Sequence, residues 1–208
     1  MYNDVPSPID LRDMSDAVDW ESTALKKRPW RTEFFDAFAH EIQTGARMHS
    51  VRILELGAGP GFLAEHLLDR VSTINQYVAL DFSAAMHQLA AQRLGERSCS
   101  VEFIERSFLE PNWHDGLGKF DFVVTHQAVH ELRHKSRAPS LHSKVGELLK
   151  PSGSYLVCDH FAGEGGMKNT DLYMTVREQA QALNEGGFPS VVCLLEKGGL
   201  VLHRAATA

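Results

Sequence analysis

Along most of the chain, short apolar runs alternate with stretches whose apolar residues recur at helical spacing. Val51, Ile53, Leu54 and Leu56 form a run with β-branched residues that leads into Gly57, Gly59 and Gly61, and a helical pattern begins at Phe62. This predicts a buried strand, a tight turn and a helix start. Further on, the pattern predicts a helix over Phe62 to Arg70 and a short strand, Tyr77 to Leu80, ending at Asp81. A helix to about Leu94 follows, capped by Ser83. Strands are expected at Val101 to Ile104, at Phe120 to Gln127 and at Ser154 to Cys158. Helices are expected over Ala138 to Lys150 and Asp171 to Glu185. Val191 to Glu196 and Leu200 to Arg204, joined by Lys197-Gly198-Gly199, read as a β-hairpin. The alternation is that of an α/β domain.

The N-terminal part follows a different pattern. Residues 1 to about 16 contain Pro6-Ser7-Pro8 and several aspartates, which predicts a loosely packed arm. From Asp16 to about Gly45 the pattern is helical and is interrupted at Pro29, which is expected to open a second helix, with Gly45 as its stop. Trp30, Phe34, Phe35 and Phe38 mark an apolar stripe on that helix. Two readings stay open: a helix packed on the domain's edge, or a lid whose aromatics, with Arg28 or Arg31, close over a ligand. The chain therefore divides into residues 1–46, an arm and helical lid segment, and residues 47–208, the main domain.

Composition narrows the function classes. At 208 residues, 43% hydrophobic and 23% charged, the chain fits one ordinary globular domain. A net charge of -6 argues against a nucleic-acid backbone as the main partner. Cys99, Cys158 and Cys193 are dispersed with no C-x-x-C pair and read as buried thiols in a reducing compartment. The polar N-terminus lacks a signal-peptide core and no 18-residue apolar run occurs, so a cytoplasmic protein without a membrane partner is expected.

Glycines at the turn after the first strand permit positive φ and let a ligand approach the backbone, while the helix start offers unpaired N–H groups. The site suits a nucleotide-like ligand. The dinucleotide fingerprint G-x-G-x-x-G needs its third glycine where Phe62 stands, and it has no role for Glu55. The run Glu55-Leu56-Gly57-Ala58-Gly59-Pro60-Gly61 instead resembles the first motif of the class I S-adenosylmethionine (SAM) dependent methyltransferases. Leu80-Asp81-Phe82-Ser83, the strand from Phe120 to Gln127, the turn Leu148-Leu149-Lys150-Pro151-Ser152-Gly153 and Glu185-Gly186-Gly187-Phe188 are similar to later motifs of that family. The resemblance covers roughly residues 50 to 206. It implies a three-layer Rossmann-like methyltransferase fold, with a seven-stranded sheet of order 3-2-1-4-5-7-6 whose last strand is antiparallel. The chain departs from the family after the third strand, where Arg106-Ser107-Phe108 replaces the usual aspartate.

The resemblance implies that Glu55, Gly57, Ala58, Gly59 and Gly61 cradle the methionine portion of SAM. Asp81, at a strand end, can accept hydrogen bonds from both ribose hydroxyls through its two oxygens. Phe82, Met86, Ser107 and Phe108 are expected to line the adenine, with Thr125 and His126 near the sulfonium. S-adenosyl-L-homocysteine (SAH) is the implied product. The general base is expected from His130, His126 or His160, with Asp159 able to orient an imidazole. His126, His130 and His134 recur every four residues, which on a helix would align them. No clustered carboxylates or cysteines accompany them, so no metal is expected.

Thr125-His126-Gln127-Ala128 stands where methyltransferases of nucleic-acid amino groups carry [DN]-P-P-[YF], and no Pro-Cys nucleophile pair occurs. A small-molecule O- or N-nucleophile is the expected acceptor. Lys26-Lys27-Arg28 with Arg31 reads either as a contact for an anionic substrate or as a solvated helix face. Two other functions stay open: a non-catalytic SAM-binding regulatory protein, and a nicotinamide-dependent enzyme.

Overall fold

A computed structural model describes residues 3–47 and 49–207; Met1 and Tyr2 of the expected arm, Met48 and Ala208 lie outside the described residues. The sheet contains β1 (Val51–Leu56), β2 (Ile74–Asp81), β3 (Val101–Glu105), β4 (Phe120–His126), β5 (Leu149–His160), β6 (Ser190–Lys197) and β7 (Leu200–Ala206). Their order is β3-β2-β1-β4-β5-β7-β6, as expected. Strands β1 to β5 pair in parallel, and β7 runs antiparallel to both β5 and β6. The chain winds outward from β1 to β3 and then returns to β4 beside β1. That reversal leaves a crevice beyond the carboxyl ends of β1 and β4.

Helices cover both faces. They are α1 (Met14–Lys27), α2 (Arg31–Ala46), α3 (Phe62–Arg70), α4 (Ala84–Leu94), α5 (Ala138–Leu148) and α6 (Val176–Glu185). Successive strand residues point to opposite faces, so each strand feeds two cores. Ile53, Tyr77, Phe122 and Leu156 join Phe34, Phe38 and Ile42 of α2 and Leu63 and Leu67 of α3. Leu54, Val78, Val123 and Val157 join Leu141 and Val145 of α5, Leu183 of α6 and the fully buried Trp113. The central strands are buried on both faces, which explains why they read as continuous apolar runs.

Several expectations need correction at the element ends. Pro29 precedes α2 rather than opening it: Arg31 N–H donates to the Arg28 carbonyl at 3.1 Å, closing a turn before the helix starts. Gly45 lies inside α2, where a Cβ would come within 2.7 Å of the Phe122 ring; the glycine permits close packing, and Arg47 at φ 43° ends the helix. Of the three cysteines expected to be buried, Cys158 in β5 is, whereas Cys99 and Cys193 are exposed. The arm is not loose. Val5 exchanges hydrogen bonds with Arg133 through its N–H (2.8 Å) and its carbonyl (2.7 Å), and the Ser83 hydroxyl donates to the Leu11 carbonyl at 2.5 Å. Helix α6 starts at Val176, because Thr175 and Glu178 form a reciprocal capping box there. After β4 the chain makes two short 3₁₀ turns, Val129–Leu132 and Lys135–Arg137, so His126, His130 and His134 do not share a helix face.

The start of α2 is fixed to the β6–β7 hairpin. Lys197 Nζ donates to both Glu33 oxygens (2.7 and 2.9 Å), and Gly198, at φ 55°, lies against the Trp30 indole, where a Cβ would come within 2.3 Å of the ring. Gly198→Ala is expected to lower unfolding stability by about 2 kcal/mol in a urea titration, from the left-handed backbone and the overpacked ring together. Combining it with Trp30→Ala removes the steric part and gives a favourable coupling. A Gly198→Ala protein as stable as the parent contradicts this packing account.

Candidate functional site

The crevice opens where the glycine turn leaves β1. Gly57 and Ala58 both donate to the Leu80 carbonyl at the end of β2 (2.8 and 3.1 Å), which pulls the turn across the neighbouring strand. Gly57 has φ 66° and sits so close to Ala128 that a Cβ would stand 2.3 Å from the alanine methyl. At Gly59 a Cβ would meet nothing within 4 Å, so this backbone faces the open cleft. Gly59 N–H donates to Asp81 Oδ2 at 2.8 Å, and Ser83 N–H to Asp81 Oδ1 at 3.0 Å. Asp81 is buried, and burial pushes its carboxyl up to about 6 against the pull of those backbone donors. Burial likewise raises Glu55 to about 8; Glu55 accepts from the Tyr77 hydroxyl at 2.6 Å.

Of the residues expected around a nucleoside, Glu55, Gly57, Ala58, Gly59, Asp81, Phe82, Met86 and Phe108 line this cleft. Ser107 lines an adjoining recess, which shares Phe82 and Phe108 with it. Gly61 and Thr125 do not border the cleft. Gly61 instead lets α3 approach Ala90 of α4, and the Thr125 hydroxyl donates to the Leu56 carbonyl at 2.9 Å, tying β4 to β1. The N-terminal segment forms the roof. Leu11, Trp20, Ala24 and Phe35 border the cleft, Arg12 lies over the Phe82 ring at 4.5 Å, and Arg93 of α4 pairs with Glu21 of α1 at 2.6 Å.

At the carboxyl ends of β4 and β5 the three expected histidines line the same cleft in different states. His126 stands edge-on to Phe35 at 5.0 Å, and burial, then Arg31, lowers its proton affinity. His160 is brought to about 3 by burial, against the pull of Asp159. His130 differs, because Asp159 binds it twice: Oδ2 accepts its backbone N–H at 2.8 Å and Oδ1 meets Nδ1 at 2.7 Å. Burial disfavours its charge, yet Asp159, and then Glu131 at 3.3 Å from Nε2, outweigh burial and raise it to about 10. His130 is therefore an imidazolium at neutral pH, while His126 and His160 are neutral.

Residues 53–153 match the family model described as a methyltransferase domain. That match spans just under half of the chain, so this part of it is similar to methyltransferase domains. Among solved structures, the DhpI-SAM-HEP complex is 16% identical, covering 93% of each chain with a TM-score of 0.71. DesVI of Streptomyces venezuelae is 16% identical, covering 94% of this chain and 99% of its own, with a TM-score of 0.68. At such identities these likenesses show the fold. A non-reducing polyketide synthase, prhL of Penicillium brasilianum, is 27% identical over 107 residues, which is 50% of this chain and only 4% of the synthase.

The cleft and its surroundings also contain residues that no sequence pattern singled out. Glu131 was legible only as the neighbour of His130, and its ion pair with Arg133 (3.1 Å) depends on the 3₁₀ turn. Tyr173, whose ring centroid lies 5.4 Å from that of His130, comes from a loop 43 residues on, and nothing local signals it. Gln127 borders the cleft with φ 58°, held there by its N–H bond to the Cys158 carbonyl at 2.7 Å.

The charge state of His130 is testable. A raised histidine pKa stabilises the fold below the ordinary imidazole value, and that contribution is lost only as pH rises through about 10. Ring NMR signals of His130 are therefore expected to stay those of an imidazolium between about pH 6 and 8.5, and Asp159→Asn is expected to lower its pKa by more than about one unit. Ordinary titration of His130 near neutral pH in the parent protein contradicts the ion-pair geometry.

Proposed function

We propose that this domain transfers the methyl group of SAM to a small-molecule O- or N-nucleophile in the roofed cleft. The observation that carries this reading is the Asp81 carboxylate joined to Gly59 N–H at the strand-order reversal, beside a glycine turn left open to a ligand. The residues present suit the cofactor. Asp81 retains acceptor capacity beyond its two backbone bonds for ribose hydroxyls, Phe82, Met86 and Phe108 offer apolar surface for adenine, and the Gly57–Gly59 backbone offers close approach. When bound, SAM supplies a sulfonium methyl group for in-line displacement.

The chain's part is to align and to handle a proton. Holding two reactants in register contributes on the order of several kcal/mol to lowering the barrier. His160 and His126 are the unprotonated imidazoles bordering the cleft; burial leaves both weakly basic, so in this reading they accept a hydrogen bond that orients the nucleophile. His130 already holds a proton, so its contribution is a fixed positive charge and an anchor for Asp159. Within residues 1–46, α2 belongs to the core, whereas the arm and α1 rest on a small cluster of Ala17, Ala85, Met86 and Leu89. The arm and α1 are accordingly the part that opens to admit ligands.

Asp81→Ala is expected to weaken SAM binding by about 1–3 kcal/mol, roughly 5- to 150-fold in calorimetry. In the parent protein, affinity is expected to fall as pH drops through about 6, where the Asp81 carboxylate takes up its proton. Unchanged affinity in the folded variant, shown folded by circular dichroism, overturns the placement of the ribose.

A further inference from the structure

At the β4–β5 end of the cleft, Lys27, Arg28 and Arg31 border the space, and among the described residues none of them meets an acidic partner. Lys27 is exposed and fits a solvated helix face. Arg31 does not fit that description: it is only 2% exposed. One guanidinium nitrogen donates to Gln127 Oε1, and Trp20 lies 5.6 Å away, but Arg31 Nε is buried without a partner. Gln127 Nε2 is in the same condition. Both groups can only donate hydrogen bonds, so the corner lacks an acceptor. An unpaired donor removed from water is costly, and an unpaired charge more so.

The cleft is also electrically polarised. Arg28 and Arg31 both act on His126 and His160, at the ends of β4 and β5. At the other end of the cleft the negative pole is the buried Asp81 carboxylate at the end of β2, which raises the proton affinity of Glu55. Arg31 is the first residue of α2, whose start is fixed by the Trp30–Gly198 contact and the Lys197–Glu33 ion pair. Its guanidinium therefore comes from a preorganised element, which limits the ordering cost of binding.

We propose that Arg31, together with the Gln127 amide and with Arg28 beside it, forms an oxyanion subsite that anchors a carboxylate or phosphate-type group of the methyl acceptor. This rests on the methyltransferase reading and narrows its substrate class to anionic small molecules. A planar guanidinium matches such groups through paired hydrogen bonds. Neutral isosteres are rejected because they leave the buried guanidinium unpaired. The other source of an oxyanion in this cleft is the cofactor's own carboxylate. Several cations gathered beside the histidines, away from Asp81, favour the acceptor.

The test uses the full chain saturated with SAH and titrated with inorganic phosphate, benzoate and neutral benzamide. The expected result is binding of phosphate and benzoate that weakens with added salt, and no binding of benzamide. Arg31→Met is expected to weaken both anions at least about tenfold, Arg31→Lys to restore part of the loss, and Arg28→Met to weaken them less. The variants' own SAH affinity is compared with that for 5′-methylthioadenosine, which lacks the amino-acid portion. If Arg31→Met weakens SAH but not methylthioadenosine, the subsite serves the cofactor and the proposal is overturned. Anions that fail to bind the SAH-loaded parent overturn it as well. Failure of SAH itself to bind the parent instead removes the underlying methyltransferase reading. If Arg31→Met does not fold, Arg28→Met and Arg31→Lys carry the same comparison.

Discussion

The Asp81 carboxylate, with Gly59 N–H on one oxygen and Ser83 N–H on the other, holds together the ends of β1 and β2 and the cap of α4. Everything else about the cleft depends on that tie. It sets where the glycine turn lies, and the turn's two bonds to the Leu80 carbonyl leave the Gly59 backbone facing open space. The carboxylate is buried at this junction, and an anion kept there must have donors around it. Two of those donors are backbone groups, which leaves the remaining acceptor sites for a ligand's hydroxyls.

A second constraint acts from the opposite end. The N-terminal helices are part of the fold and of the site at once, since α2 supplies core residues such as Phe34 and Phe38 and also delivers Arg31 and Phe35 to the cleft. The roof over the Asp81 side of the cleft hangs on fewer apolar contacts, and its tether is the Ser83–Leu11 bond and the Arg93–Glu21 pair. Strength at one end and a lighter closure at the other suit a site that must open for a large ligand and then exclude water.

The sheet was legible in the sequence because its central strands are buried on both faces and its turn chemistry is local. Glu55 to Gly61 and Leu80 to Ser83 carry their meaning within a few residues. Long-range packing was not legible. Gly45 looks like a helix stop and is a helix–sheet contact with Phe122; Gly61 packs closely on Ala90 of α4, a contact that no local pattern signals. The four-residue histidine spacing suggested one helix face, whereas Arg133 at φ 63° and two 3₁₀ turns scatter the rings, and the pairing of His130 with Asp159 decides its charge. Arg31 was legible as one of several basic residues that could meet an anionic ligand, but its burial, which sets it apart from Lys27, is a property of the assembled fold.

The most direct test of the account is calorimetric titration of the full chain with SAH, SAM and NAD in parallel. One-to-one binding of SAH and SAM at micromolar affinity, with no heat for NAD, is the predicted result. Binding of NAD with silence for SAH and SAM contradicts it, because the Asp81 junction and the glycine turn would then serve a different nucleotide.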